Sequence, residues 1–79
     1  MQNDAMPKQE CFARFDNVKF WHSRTRELIA NSETYTYPAF RELFWELRRE
    51  SRKAEFALVV ALCRFENWME EKAADVDKR

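Results

Sequence analysis

Apolar residues recur through the first third of the chain at intervals of three and four residues, from Lys8 to Asn31. At about 100° per residue, positions spaced in this way fall on one side of a helix. Nothing in the segment alternates between apolar and polar residues as a strand does. We therefore predict an amphipathic helix over residues 8–31. Its core-facing stripe is Cys11, Phe15, Val18, His22, Thr25 and Ile29, with Phe12 on one flank and Trp21 and Leu28 on the other.

Residues 31–37, with the sequence NSETYTY, interrupt this pattern. Asn, Ser and Thr are turn residues, and the segment ends directly before Pro38. A proline biases the preceding residue away from helical angles and is itself tolerated in the first turn of a helix. We predict a turn here, with Thr36 or Tyr37 as the N-cap of a second helix. Thr36 is favoured because its hydroxyl can accept a backbone hydrogen bond.

The three-and-four spacing resumes at Pro38 and continues to about Ala74 without a proline or glycine. We predict one continuous helix of roughly 37 residues and 55 Å. Ser51 falls on its apolar side within RRESRK, so the alternative is a break near residues 50–53 and a three-helix bundle. The predicted stripe is Phe40, Phe44, Leu47, Ser51, Ala54, Leu58, Ala61, Phe65, Trp68, Lys72 and Val76.

The short connection predicts an antiparallel helical hairpin, with Ile29 near Phe40, His22 near Leu47 and Cys11 near Leu58. The first helix would then leave Leu62, Phe65, Trp68 and Met69 uncovered. The segment FALVVALC, residues 56–63, is also apolar all round, and such a helix must be buried on every side. We therefore predict an all-α, dimeric four-helix bundle with two-fold symmetry. The predicted interface is Phe56, Val59, Val60, Cys63, Phe65, Trp68 and Met69.

Charge along the second helix is divided in a way that suits this dimer. Residues 48–53 are mainly basic, whereas Glu66, Glu70 and Glu71 lie near its end. Two copies crossing antiparallel near residue 60 would bring the basic middle of one beside the acidic end of the other. Such pairs set orientation more than they set stability.

Composition limits the alternatives. The 79 residues suffice for one domain, 46% of them are hydrophobic, and the formal net charge is zero. The absence of glycine excludes a phosphate-binding glycine-rich loop and makes a hairpin-rich sheet improbable. The longest apolar run is too short to cross a bilayer, and the N-terminus lacks a secretory pattern. We expect a single cytoplasmic domain with free thiols and no membrane partner, and with residues 1–7 and 75–79 flexible.

No arrangement of residues suggests catalysis or a cofactor. His22 is the only histidine, and Lys19 stands where a di-metal bundle site needs glutamate. Cys11 and Cys63 are too far apart in the predicted hairpin to join His22 in a zinc or nucleophile site, and a disulfide between them is not expected. We predict neither an enzyme nor a metal site.

Exposed aromatic residues point instead to protein binding, because aromatic side chains are enriched where proteins bind one another. The predicted partner-binding residues are Phe20, Tyr35, Tyr37 and Trp45. We expect a small regulatory adaptor or inhibitor that binds a larger protein. The alternative is a helical dimer that binds nucleic acid through the basic cluster Arg48, Arg49, Arg52 and Lys53, although the zero net charge disfavours it.

Overall fold

The computed structural model describes residues 6–77, with side chains from 7 to 75. It consists of helix α1 (Met6–Ala30), one 3₁₀ turn (Ser32–Thr34) and helix α2 (Tyr37–Asp77). The two helices pack against each other as the predicted all-α hairpin. α1 begins two residues earlier than predicted and α2 ends three residues later. Of the segments expected to be flexible, 1–7 and 75–79, residues 6–7 and 75–77 belong to the helices, and residues 1–5 and 78–79 lie outside the described residues.

α2 runs unbroken through residues 48–53, so the three-helix alternative is wrong. This segment is made of Arg, Lys and Glu around one serine, and the charged residues are all good helix formers. Ser51 is half-buried, and its small side chain is accommodated on the inner side of the helix. An ion pair of 3.5 Å between Lys53 Nζ and Glu50 Oε2 links successive turns at this point.

The turn reverses the chain without glycine and without any positive φ in residues 6–77. α1 ends where the Asn31 backbone N–H and side-chain amide both donate to the Glu27 carbonyl, at 3.0 Å each. The Thr34 hydroxyl and backbone N–H then donate to the Asn31 carbonyl, at 2.7 and 3.0 Å. Polar side chains thus satisfy carbonyls that a C-terminal glycine motif satisfies in other helices.

Thr36 is the N-cap of α2, as predicted. Its Oγ1 accepts a hydrogen bond from the Ala39 backbone N–H at 3.4 Å, and its carbonyl accepts the first helical bond from Phe40 at 2.9 Å. Pro38 follows in the first turn, where its missing N–H has no helical partner to lose.

Removing this cap tests its contribution. Thr36→Ala is expected to lower the free energy of unfolding by about 1 kcal/mol, because the hydroxyl acceptor is lost. Thr36→Ser keeps the hydroxyl and serves as the matched control, with a change of a few tenths of a kcal/mol. Urea titration followed by circular dichroism gives both values, and equal losses in the two variants would contradict the capping role.

The inner side of α2 is the predicted one. Ala54 and Ala61 are buried there and are the closest-packed residues of the helix. The remaining members of the predicted stripe from Phe40 to Trp68 are half-buried: Phe40, Phe44, Leu47, Ser51, Leu58, Phe65 and Trp68. The buried hydrophobic residues of the described hairpin are Cys11, Leu28, Ala54 and Ala61, and none of its large side chains is fully buried.

The inner side of α1 differs from the prediction by a rotation of the helix. Leu28 is buried and Trp21 half-buried, whereas Phe15, His22 and Ile29 are exposed. The predicted and observed sides share Cys11, Val18 and Thr25 but complete the seven-residue repeat differently. On the observed inner side the repeat is completed by Arg14, Trp21 and Leu28. The prediction placed Phe15, His22 and Ile29 there instead. Trp21 and Leu28 face α2 because they line one cleft together with Leu43 and Leu47 of that helix.

The axial alignment of the helices also differs from the prediction. Cys11 Sγ donates to the Ala61 carbonyl at 3.5 Å, so Cys11 lies opposite Ala61 and not Leu58. His22 Nε2 lies 2.7 Å from Glu55 Oε2, and therefore opposite Glu55 and not Leu47.

α1 consequently reaches further along α2 than expected. The Arg64 guanidinium of α2 donates to the carboxylate of Glu10, a residue in the second turn of α1, at 3.2 Å. Phe65 and Trp68, which were expected to lie beyond α1, are half-buried.

The hairpin is a rod of 65 × 16 × 16 Å with a radius of gyration of 18.4 Å. A compact domain of this length has a radius of gyration of roughly 12 Å. The accessible surface is 6690 Å², whereas a compact monomer of 9.7 kDa exposes roughly 5100 Å². The surplus of accessible surface arises because the described residues form only two long helices, with no further element packed against them.

Candidate protein-interaction surfaces

The outer face of α2, defined here as Phe56, Val59, Val60 and Cys63, lies opposite α1. At about 100° per residue, Phe56 and Cys63 point half a turn away from Ala54 and Ala61, which face α1. Phe56 is 70% exposed, Val59 and Cys63 are exposed, and Val60 is half-buried. An apolar face of this kind makes this surface a candidate binding site.

Opposite charges bracket the outer face of α2. Arg48, Arg49 and Arg52 lie on the turns before it, and Glu66, Glu70 and Glu71 on the turns after it. Across the described side chains, the intramolecular ion pairs engage Glu10, Glu50 and Glu55 and none of these three arginines or three glutamates. The charges of Arg49, Arg52 and the three glutamates are therefore available to a partner, whereas Arg48 lies over the Trp45 ring and forms none of these ion pairs.

A second apolar surface lies on one broad side of the hairpin, the side marked by the His22–Glu55 contact. Phe12 and Phe15 of α1 are 58% and 50% exposed there. Leu62 and Met69 of α2 lie on the same side by helical geometry and are also exposed. The opposite broad side carries the Glu10–Arg64 pair.

A cleft of about 390 Å³ opens beside the turn, and we call it the loop-end cleft. Trp21, Leu28, Leu43 and Leu47 give it apolar walls, and Tyr35 closes it toward the turn. Charged and polar residues complete the lining: Arg24, Glu27, Asn31 and Glu46. An open cleft that combines apolar walls with charged residues can hold a side chain of a protein partner, with the charged residues fixing its orientation.

The structure does not bring the four predicted partner-binding residues together. Tyr35 lines the loop-end cleft, and the exposed Tyr37 begins α2 beside it. Trp45 lies on the same side of α2 as Phe56, with the Arg48 guanidinium 4.9 Å from its ring centroid. Phe20 lies on α1, edge-on to Trp21 at 5.0 Å and capped by Arg24.

The seven predicted interface residues occupy two sides of α2. Phe56, Val59, Val60 and Cys63 form its outer face. Phe65 and Trp68 lie on the inner side of α2, with Met69 at its exposed edge, and the two rings pack with centroids 5.7 Å apart. The ammonium of Lys72 lies 4.8 Å from the Trp68 ring centroid and covers part of this pair.

The basic cluster is partly engaged within the chain. Arg48 stacks on Trp45, and Lys53 pairs with Glu50. Arg49 and Arg52 are exposed. Acidic residues are interleaved with these cations along α2, so the cluster does not form the continuous positive surface that a phosphate backbone attracts.

The residues of possible chemical interest are spread along the rod. His22 pairs with Glu55 at the surface, Cys11 is a buried free thiol and Cys63 an exposed one. Among residues 6–77, no three His, Cys, Asp or Glu side chains are placed to hold a metal ion together. Neither described helix combines the length and the apolar character needed to cross a membrane.

Sequence reasoning missed the loop-end cleft and the Phe12–Phe15 surface. Both depend on the rotation of α1, which places Trp21 and Leu28 inward and Phe15 outward. Leu43 is not part of the predicted stripe of the second helix, and only the observed alignment brings it opposite Trp21 and Leu28. The sequence shows the spacing of Phe12 and Phe15, but this spacing alone does not tell whether the two side chains face α2 or the solvent.

No protein-family model, no curated protein and no solved structure matches this chain.

Proposed function

We propose that this chain is a small protein-interaction module, a regulatory adaptor or inhibitor that pairs with a second copy of itself and binds a larger protein. The supporting observation is the surplus of exposed apolar surface. Twelve large hydrophobic side chains of the described hairpin are 38–72% exposed, while its buried core holds four residues. Apolar side chains that lie next to one another at the surface, as on the outer face of α2, favour a binding role, whereas isolated ones do not.

The separation of the surfaces supports a division of labour. The outer face of α2 lies at the middle of the rod, and the loop-end cleft lies at its turn. A second copy bound at the middle leaves the cleft open, so both partners can be held at once. The surplus surface is roughly 1600 Å², about twice the 800 Å² that each partner contributes to a standard interface.

The loop-end cleft is the better candidate for the larger protein. Tyr35 and the nearby Tyr37 present aromatic rings on a short, hydrogen-bonded turn, so little conformational entropy is lost when a partner covers them. Glu27 and Glu46 on the rim favour a partner whose anchoring side chain is flanked by a basic residue.

The proposal is tested by identifying the captured protein and measuring its affinity for variants. Tyr35→Ala is expected to weaken binding about 30-fold, because truncation of an anchoring aromatic costs about 2 kcal/mol. Phe12→Ala removes an exposed aromatic of the second apolar surface, near the middle of the rod and away from the cleft. It is the comparison variant, and its affinity is expected to equal that of wild type because the cleft holds the partner. Equal affinities for wild type and Tyr35→Ala would overturn the assignment of the cleft.

A nuclease-treated sample run beside the untreated one tests the alternative function. Retained nucleic acid, with affinity that falls steeply as salt rises, would favour the nucleic-acid-binding dimer over this proposal.

A further inference from the structure

We propose that the outer face of α2 binds the same face of a second copy, antiparallel, with the two-fold axis beside Val59 and Val60. The inference deepens the proposed function and rests on it, since it assigns the register of the proposed dimer. It is carried by two features of the described helix. One is the apolar centre opposite α1, and the other is the pattern of charge on either side of it.

The apolar centre is self-complementary about this axis. Phe56 lies as far before the axis as Cys63 lies after it, so the Phe56 ring packs on the partner's Cys63. Val59 and Val60 flank the axis and meet their own counterparts. Every exposed apolar side chain of this face is thereby covered by another, as a two-fold interface requires.

The charges are complementary in the same register. Arg52 and Glu66 lie seven residues on either side of Val59, which places Arg52 beside the partner's Glu66. Arg48 and Glu70 lie eleven residues on either side of Val59, so Arg48 meets the partner's Glu70. Arg49 and Glu71 lie eleven residues on either side of Val60, so Arg49 meets the partner's Glu71. Two-fold symmetry repeats each pair, which gives six opposite-charge contacts around the apolar centre.

A parallel arrangement is disfavoured by the same residues. It would place the three arginines of one copy beside the three arginines of the other, and the three glutamates likewise. Like charges in contact are repulsive, and this repulsion excludes wrong registers more strongly than the attractive pairs add affinity.

The register gives the dimer a particular shape. Because the outer face of α2 lies opposite α1, the two α2 helices pair at the centre and each α1 lies on the outside. The four helices then form one layer instead of the compact square of a four-helix bundle. The loop-end clefts lie at opposite ends of this layer and remain open.

Charge exchange between two variants tests the pairing. The triple variants Arg48→Glu/Arg49→Glu/Arg52→Glu and Glu66→Lys/Glu70→Lys/Glu71→Lys are each expected to weaken self-association about 100-fold or more, because six attractive contacts become repulsive. Mixed in equal amounts, they are expected to form a one-to-one heterodimer. Sedimentation velocity measures all three samples, and circular dichroism verifies that each variant is helical.

Lys8→Glu/Lys19→Glu/Arg26→Glu is the matched control, since it changes the net charge equally at exposed positions of α1. It is expected to remain dimeric. A wild-type chain that is monomeric at tens of micromolar, or variants that fail to pair when mixed, would overturn the proposal. These measurements use the purified protein alone. A negative result here therefore does not affect the affinity test of the loop-end cleft, and a negative result in that test does not affect the dimer.

A cysteine introduced at the axis tests the register without altering charge. In a Cys63→Ser background, Val59→Cys is expected to form an intermolecular disulfide readily, because the two thiols meet at the axis. The two copies of Arg52 lie roughly 21 Å apart along the direction of the helices, so Arg52→Cys is expected to remain reduced. Equal crosslinking of the two variants would overturn the proposed register.

Discussion

Replacing Ala61 with leucine is expected to lower the free energy of unfolding by about 3 kcal/mol. Ala61 is 1% exposed, and its carbonyl accepts the hydrogen bond from Cys11 Sγ at 3.5 Å. There is no room at this contact for three further carbon atoms. Inserting them forces the helices apart or the leucine out of a preferred rotamer, and overpacking of this kind costs about 1–3 kcal/mol. We expect a loss at the upper end of this range because two long packed helices cannot bend locally around the new side chain.

The measurement is the midpoint and slope of urea unfolding followed by circular dichroism. Ala73→Leu makes the same substitution at an exposed position of α2 and is expected to change stability by less than about 0.5 kcal/mol. A chain of this size has only roughly 4–12 kcal/mol of stability. An Ala61→Leu variant as stable as wild type would show that the helices do not approach closely at this position.

The second helix could be predicted almost completely from the sequence. Its apolar spacing extends over ten turns, and each additional turn reduces the angular error of the predicted inner side. Ala54 and Ala61, both buried, lie where the pattern placed them. Its beginning was also encoded locally, because a threonine followed by a proline two residues later supplies both the cap and the first turn.

The first helix was predicted less well because its pattern is ambiguous. Cys11, Val18 and Thr25 are compatible with two inner sides, which differ in whether Leu28 or Ile29 completes the repeat. Both residues are apolar, so hydrophobicity alone does not choose between them. The choice depends on which residue fits against Leu43 and Leu47, a contact between segments distant in sequence.

The axial alignment and the loop-end cleft could not be predicted for a related reason. The heptad-like spacing is unchanged when one helix slides along the other, so periodicity says nothing about which residues lie opposite. Contacts such as Glu10–Arg64 are decided by the length and path of the 3₁₀ turn. The outer face of α2, by contrast, was visible in the sequence because residues 56–63 are apolar on all sides.

Leu28→Ala and Ile29→Ala distinguish the two possible inner sides of α1. Leu28 is 6% exposed and Ile29 is 54% exposed, although they are neighbours of nearly equal size. Truncating Leu28 removes its buried contacts and leaves a cavity at the wall of the loop-end cleft, which costs about 2–5 kcal/mol. Truncating Ile29 removes a side chain that is already half in water, and alanine also favours the helix, so a loss below about 1 kcal/mol is expected.

Urea unfolding of the two variants, measured at one protein concentration, gives both free energies under the same conditions. The concentration is held fixed because self-association would otherwise shift the midpoint by mass action. A larger loss for Ile29→Ala than for Leu28→Ala would mean that α1 is rotated toward the side first predicted from its sequence. Trp21 would then turn away from Leu43 and Leu47, and the loop-end cleft would lose two of its apolar walls.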